Sequence, residues 1–514
     1  MSTSTSGSHK ASRGSFSSRQ VFILAAIGSA VGLGNIWRFP YVAYENGGGA
    51  FMLPYLVALL TAGIPFLFVE YALGHRNRGS APLSLARVRR WMESLGWWQV
   101  AICALIAVYY AAILAWAVRY TFFSVNKAWG DDPNGFFFGE FLQLGKGLDL
   151  SPVWGVLVPM VAVWVALIVV LAAGVEKGVG GTSKFFIPVL VVAFAVLVVS
   201  ALFLDGAAAG LDALFTPSWE ALAEPSVWAA AYGQIFFSLS VGFGIMITYA
   251  SYVRRGTDMP GSGLVVGFAN SGFELLAGIG VFAALGFMAQ AQGVEVTEVV
   301  TSGVGLAFVA FPALISEAPA GALIGVLFFV SLVLAGFTSL VSIVEVVVSA
   351  VRDKLGLGRT AAVLVVTIPM AVVSLVFVGT ASGLTVLDIL DNFINKFGIL
   401  LVAVVSMVAL AWVARALPAL AADLNTATSV HVGAWWRLLV AVLGPVVLTY
   451  ILVDYFVETV QEPYGGYPEW MLGVFGWGAA GLALVLGIIG SLLPWPKGTS
   501  LVSPTADGAD RKEL

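Results

Sequence analysis

The sequence predicts an all-α membrane protein with about twelve transmembrane helices. Hydrophobic residues make up 59% of the chain and charged residues only 11%, against roughly a quarter charged in soluble proteins, and the mean hydropathy is +0.95. At about 20 mainly apolar residues per bilayer-spanning helix, the 514 residues hold on the order of a dozen spans with short connections and little left for a soluble domain. Lysine and arginine fall on alternate connections, as in a chain threaded back and forth. A cytosolic enzyme, a DNA-binding factor and a secreted disulfide scaffold are excluded.

Taken in order, residues 1–19 form a polar, Ser/Thr/Gly-rich tail without the apolar core of a signal peptide. Apolar runs between turn and charge punctuation then place spans at 20–44, 50–74, 97–126, 153–173, 184–204 and 226–252. The second group lies at 262–291, 321–351, 361–379, 387–414, 435–457 and 470–493, followed by a tail over 495–514. The first two spans are parted only by the turn Asn46, Gly47, Gly48 and Gly49.

One set of connections is basic, carrying Arg76, Arg78, Arg87, Arg89 and Arg90, then Lys177, then Arg254 and Arg255, then Arg352, Lys354 and Arg359. The alternate set is acidic, with Asp131, Asp132, Asp149, Glu220, Glu295 and Glu462, and has Lys127 and Lys146 as its main basic exceptions. Basic connections stay cytoplasmic, so both termini are expected inside and the number of spans even. The net charge of −4 is too small to imply a nucleic-acid partner. The lone Cys103 sits in an apolar run as structural filler and rules out a disulfide framework. Three histidines, His9, His75 and His431, lie outside the predicted spans, and no nucleophile–base pair or metal-ligand cluster stands out, so enzymatic chemistry is not expected.

Two spans carry V-G-[LF]-G near their middle, once in each half of the chain: Val31, Gly32, Leu33, Gly34 and Val241, Gly242, Phe243, Gly244. Two glycines within three positions weaken helix by about 1 kcal/mol each relative to alanine. Backbone groups released in hydrocarbon must find partners, which is tolerable where they line a cavity or bind something. Paired interruptions in two halves point to a transporter's central site, where half-helix N-termini attract an anion and freed carbonyls hold a cation. A pair of glycine-lined packing seams is the alternative reading. Arg38, Glu45, Glu70, Glu274, Glu345, Asp388 and Asp391 also fall within or at the ends of predicted spans, where charges are paired or functional. Glu45, Glu70 and Glu345 suit helix bracing.

The stretch Gly28 to Tyr41, G-S-A-V-G-L-G-N-I-W-R-F-P-Y, followed by E-N-G-G-G-A-F at Glu45 to Phe51, resembles the signature of the neurotransmitter:sodium symporters, nearest to bacterial amino-acid members. The likeness continues through Gly63 to Pro65, Tyr109 and Tyr110, Gly233 to Gly244, Asn270, Ala335 to Ser339, and Asp388 with Asp391.

The resemblance implies a five-plus-five inverted repeat, 20–205 and 206–432, with two broken helices and two peripheral helices over 433–494. It implies a multi-pass protein of the cell membrane that imports a zwitterionic amino acid with sodium. Ala30, Asn35, Ser238 and Asn270 resemble the first of two sodium sites, completed by the substrate carboxylate. Gly28, Val31, Ala335, Thr338 and Ser339 resemble the second. The implied substrate pocket comprises Ile106, Tyr110, Phe237, Ser240, Phe243, Ser339 and Ile343, with Ala30, Ser238 and the backbone around Gly32 and Gly34. Its apolar slot favours a hydrophobic amino acid. Arg38 and Asp391 resemble an extracellular gate pair under which Phe237 forms a lid; Arg13, Asp353, Ser251 and Tyr252 resemble a cytoplasmic closure in which Arg13 pairs with Asp353. Phe16 stands where bacterial members carry tryptophan. Chloride-dependent members place a hydroxyl at the position of Glu274; a carboxylate supplies the negative charge itself, so chloride is not expected to be required. Two rivals are a sodium-independent exchanger or channel, against which Thr338 and Ser339 speak, and a membrane enzyme or receptor.

Overall fold

A chain crossing hydrocarbon has to satisfy its backbone internally, and this one is about 80% helical. The computed structural model describes residues 14–145, 147–300 and 303–504, and no strand occurs among them. Among the described residues, ten continuous helices are long and apolar enough to cross a bilayer. They are Gly49–Asn77, Arg90–Asn126, Trp154–Ala172, Val175–Leu202 and Met259–Gln292, then Gly321–Leu355, Arg359–Val378, Gly383–Val413, Ala434–Gly466 and Glu469–Leu492. The two remaining expected spans are those bearing the V-G-[LF]-G motif, and both are broken. The first is Arg19–Ala30 and Leu33–Glu45, bent by 55°. The sixth is Pro225–Ser238 and Ile245–Ala250, joined by the non-helical stretch 239–244.

Helix starts reach further toward the connections than hydropathy suggests. The third span begins at Arg90 rather than 97 and the fifth at Val175 rather than 184. Their polar first turns carry Arg90 and Glu93, or Glu176 and Lys177. Short helices within connections between the predicted spans include Ala207–Phe215 and Leu417–Leu424.

Burial divides the spans into a core and an outer layer. In the most apolar stretch of the third span 83% of residues are inside, against 28% for the fifth, eleventh and twelfth. The third and eighth spans pack along each other as the most extensive helix pair. The outer helices leave Val158, Val192, Val446 and Leu492 exposed, apolar faces suited to lipid.

The start of the first span is tied down: Ser18 Oγ caps the Val21 N–H at 3.3 Å, and Arg19 reaches Ser262 at 2.8 Å and Asp258 at 3.3 Å. Burial works against the charge of Asp258, but hydrogen bonds from Gly261 and Ser429, helped by Arg19, hold its carboxyl below the usual carboxylate range.

Ala207–Phe215 lies backbone to backbone on the seventh span. A Cβ on Gly210 would meet the Phe282 carbonyl oxygen at 1.8 Å, and one on Gly286 the Gly206 carbonyl oxygen at 2.3 Å. Backbone cannot move aside as a side chain does. Gly286→Val is therefore expected to destabilise the protein by about 1–3 kcal/mol or more, read as a lower melting temperature in detergent, whereas Gly272→Ala, with nothing within 4 Å of its Cβ position, leaves it unchanged.

Candidate substrate and cation site

In the first span helical pairing stops at Ala30. Val31 (φ −75°, ψ 94°) and Gly32 (φ −122°, ψ −165°) are extended before helix resumes at Leu33. The Gly32 N–H donates to Asn35 Oδ1 at 2.8 Å, the Leu33 N–H faces the Tyr110 hydroxyl oxygen at 3.4 Å, and the Asn35 N–H turns to the Gly32 carbonyl at 3.3 Å. In an unbroken helix those three N–H groups serve the carbonyls of Gly28, Ser29 and Val31. All three carbonyls thus lose their helical donors. The Ser29 carbonyl is taken up instead by the hydroxyls of Ser240 at 2.9 Å and Ser339 at 3.3 Å.

Glycine is required at this break for space rather than for backbone freedom, since any residue adopts the φ of Gly32. A Cβ there would stand 3.2 Å from the Tyr110 hydroxyl and 3.4 Å from Ser339 Oγ, and one on Gly34 2.3 Å from Phe237 Cε1.

The sixth-span break is built the other way. Ser240 (φ 54°), Gly242 (φ 95°) and Gly244 (φ 79°) all take left-handed backbone, easy for glycine and strained for serine. The Gly242 N–H, which would otherwise serve Ser238, donates to Glu70 Oε1 at 3.1 Å. Cys103 Sγ donates to the Phe243 carbonyl at 3.2 Å. Glu70 and Cys103 therefore hold the unwound segment. Nothing in the spacing of Cys103, 140 residues before Phe243, signals this contact, and treating it as filler understates it.

Between the breaks lies a cavity of about 60 Å³. A single water needs roughly 10–15 Å³, so glycine packing does not close the seam. Its lining joins polar Asn35, Tyr110, Ser238, Ser240 and Ser339 to apolar Ile106, Phe237, Phe243, Ile343 and Ile399, with Ala30, Gly32 and Gly34 from the first break. Asn35 Nδ2 donates to Asn270 Oδ1 at 2.8 Å and Asn270 Nδ2 to Ser238 Oγ at 3.0 Å. Three buried oxygen-bearing side chains from the first, sixth and seventh spans thus meet, two of them, Asn35 and Ser238, lining the cavity with Ala30. A second group forms where the Gly28 Cβ position comes within 3.3 Å of Thr338 Cβ. The Thr338 hydroxyl donates to the carbonyls of Leu334 at 3.1 Å and Ala335 at 3.0 Å, and Ser339 is its neighbour. One turn after Asn270, fully buried Glu274 accepts from Gln234 Nε2 at 2.6 Å and from the Tyr55 hydroxyl, which also bonds Ser271 at 2.8 Å. Tyr55 and Gln234 were not singled out from the sequence, although Gln234 lies in the quoted Gly233–Gly244 motif.

The profile of the Sodium:neurotransmitter symporter family matches residues 13–135 and 130–494. The chain belongs to that family. The symporter is 40% identical over 480 residues to an uncharacterized sodium-dependent transporter of Methanocaldococcus jannaschii, covering 93% of this chain and 97% of the relative. It is 30% identical to a sodium- and chloride-dependent taurine transporter of Rattus norvegicus, covering 91% of this chain and 82% of that one. A sodium- and chloride-dependent glycine transporter of Xenopus laevis is 27% identical, with 92% and 68% covered. The symporter is accordingly a sodium-dependent transporter, not an enzyme.

The expected gate pair of the symporter is not in direct contact. Asp391 is held by the Tyr109 hydroxyl at 2.8 Å and Asn395 Nδ2 at 2.9 Å. The Arg38 guanidinium lies over the Phe237 ring, 4.6 Å from its centroid. The ring competes for the guanidinium, which stays within electrostatic reach of Asp391 without bonding it.

At the other end, Arg13 lies outside the described residues, so its pairing with Asp353 does too. Asp353 accepts the Ser80 N–H at 2.9 Å. The Tyr252 hydroxyl donates to Glu345 at 2.8 Å and lies 3.1 Å from the Ser349 hydroxyl, and the Ser251 hydroxyl donates to the Thr248 carbonyl at 2.6 Å. Phe16 is buried edge-on against Tyr249 and Tyr252, with centroids 5.6 and 6.1 Å apart, and its N–H donates to the Tyr252 carbonyl at 3.1 Å. Glu345 pairs in bidentate fashion with Arg359, at 2.7 and 2.6 Å, as a residue bracing two helices does.

Proposed function

We propose that the symporter imports a zwitterionic, hydrophobic amino acid together with two sodium ions by alternating access, without a need for chloride. The observation that carries this reading is the cavity between the two broken helices, lined by released backbone and hydroxyls and by Ile106, Phe243 and Ile343. The substrate carboxylate has the Tyr110 hydroxyl and the N-terminal end of Leu33–Glu45 to meet. The ammonium has carbonyls of the two breaks. Among the described residues of the lining Asp391 alone is charged, and Tyr109 and Asn395 already hold it, which speaks against a charged substrate side chain. Glycine and taurine, after which two relatives are named, are small zwitterions; the apolar lining here suits a longer aliphatic side chain, although one methylene is worth only about 1–3 kcal/mol of discrimination.

The first sodium ion is assigned to Ala30, Asn35, Ser238, Asn270 and the substrate carboxylate. The second is assigned to the carbonyls of Gly28, Val31 and Ala335 and the hydroxyls of Thr338 and Ser339. Both sets offer only oxygen, as a hard cation requires. Glu274 stands in for chloride. The repeats 20–205 and 206–432 rock about the site while spans eleven and twelve stay peripheral. Arg38 swings from Phe237 to Asp391 to close one side, and Phe16, Tyr252 and Asp353 close the cytoplasmic side, both termini being inside the cell membrane. A tenfold gradient supplies about 1.4 kcal/mol per sodium ion and 100 mV about 2.3 kcal/mol per charge. Two ions supply roughly 7 kcal/mol, enough for about 10⁵-fold accumulation.

Uptake into proteoliposomes, screened over the amino acids with sodium and potassium compared, tests the proposal. Sodium-dependent uptake of aliphatic amino acids is the expected result. Equal uptake in potassium contradicts it.

A further inference from the structure

The residues after the twelfth span fold back onto the protein. Trp495 Nε1 donates to Glu93 Oε2 at 2.9 Å, and its ring lies 4.2 Å from Lys354 Nζ. Glu93, fully buried in the first turn of the third span, also accepts from Trp97 Nε1 at 3.1 Å, from Lys354 and from Arg90. Pro496 packs on Gly356, just past the eighth span, and the Ser500 carbonyl accepts from Arg87 Nε at 3.0 Å. One short segment thus joins the end of the eighth span, the start of the third and the connection before it. The family profile ends at residue 494, one residue before Trp495.

A buried ion pair is a costly way to brace two helices, since apolar residues of similar volume often serve as well. What the pair supplies is directional. Lys354 is the neighbour of Asp353, whose Oδ2 takes the Ser80 N–H at the head of the short helix Ala81–Ala86. Holding the Lys354 ammonium on Glu93 fixes the rotation of the last turn of Gly321–Leu355, and with it the direction in which Asp353 points.

We propose that Trp495 is a positioning residue for the inner closure: by bonding Glu93 and covering Lys354 it locks the end of the eighth span, so that Asp353 keeps its place. The proposal rests on the reading of Asp353 as part of that closure. Loss of the indole frees the turn, and the inner ends of the first and sixth spans open more often.

The test is hydrogen–deuterium exchange of the full-length protein in lipid nanodiscs with sodium, comparing wild type, Trp495→Ala, Trp495→Phe and Asp353→Asn. Exchange of Arg19–Ala30 and Ile245–Ala250 is expected to quicken on the order of tenfold in Trp495→Ala, the scale of one hydrogen bond to a charged group. It should quicken similarly in Asp353→Asn, and less in Trp495→Phe, which keeps a ring over Lys354 but has no N–H. The fifth span, Val175–Leu202, should be unchanged. A rise in Asp353→Asn alone overturns the role of Trp495 and leaves the closure reading standing. A rise in Trp495→Ala alone overturns the route through Asp353. No rise in either variant overturns both. Equal quickening of every helix, the fifth span included, assigns Trp495 to general stability and overturns the proposal.

Discussion

Gly32→Val is expected to abolish sodium-dependent amino-acid uptake while the protein stays folded. The backbone at Gly32 is extended, φ −122° and ψ −165°, a conformation in which β-branched residues are at ease, so valine brings no backbone strain. Its Cβ stands 3.2 Å from the Tyr110 hydroxyl and 3.4 Å from Ser339 Oγ, and its methyl groups fall among the groups assigned to the substrate carboxylate. A misplacement of about 1 Å costs on the order of 100-fold in such sites, and a carboxylate with no room loses at least that. Gly32→Ala, with one methyl group, should fall between the two. Uptake and binding assays check the loss, and a melting temperature within a few degrees of wild type shows that the site rather than the fold was altered. Normal uptake by Gly32→Val contradicts the placement of the carboxylate.

The second large effect is expected from Glu274→Ser. Glu274 is fully buried one helical turn after Asn270. At a separation of about 5.4 Å and an effective dielectric near 20, a carboxylate stabilises a sodium ion by about 3 kcal/mol. Removing it should weaken sodium-driven uptake on the order of 100-fold in gluconate medium. Serine leaves space beside Tyr55 and Gln234, which donate to Glu274, and both can donate to an anion instead. Added chloride should therefore restore uptake in Glu274→Ser and leave wild type unaffected. Wild-type uptake that collapses in gluconate contradicts the assignment of Glu274.

The sites of backbone interruption were legible because glycine pairs in mid-membrane have few explanations, and the chain breaks at Val31–Gly32 and over 239–244. The reason for the glycines was legible only in part. At Gly242 and Gly244 they serve left-handed backbone, while at Gly32 and Gly34 they make room for Tyr110, Ser339 and Phe237. Local sequence cannot separate a conformational need from a spatial one, because the second depends on residues tens to hundreds of positions away. The same holds for Cys103 and Glu70, whose partners are backbone atoms of the sixth span. Motif likeness groups Asn35, Asn270 and Ser238 as part of a sodium site, and the three form one connected chain of hydrogen bonds. The pairing of Arg38 with Asp391 did not follow: a motif records which residues occur but not which of two partners, here the face of Phe237 or a carboxylate, a guanidinium holds in one conformation. Helix ends such as Arg90 and Val175 were missed because hydropathy falls before the helix does.

In the proposed mechanism, backbone released at the two breaks holds a cation and a carboxylate together. Equilibrium binding of an aliphatic amino acid and of its carboxamide, in sodium and in potassium, tests it most directly. The amino acid is expected to bind in sodium only, and the carboxamide in neither salt. Carboxamide binding as tight as that of the acid, or amino-acid binding in potassium as tight as in sodium, contradicts it.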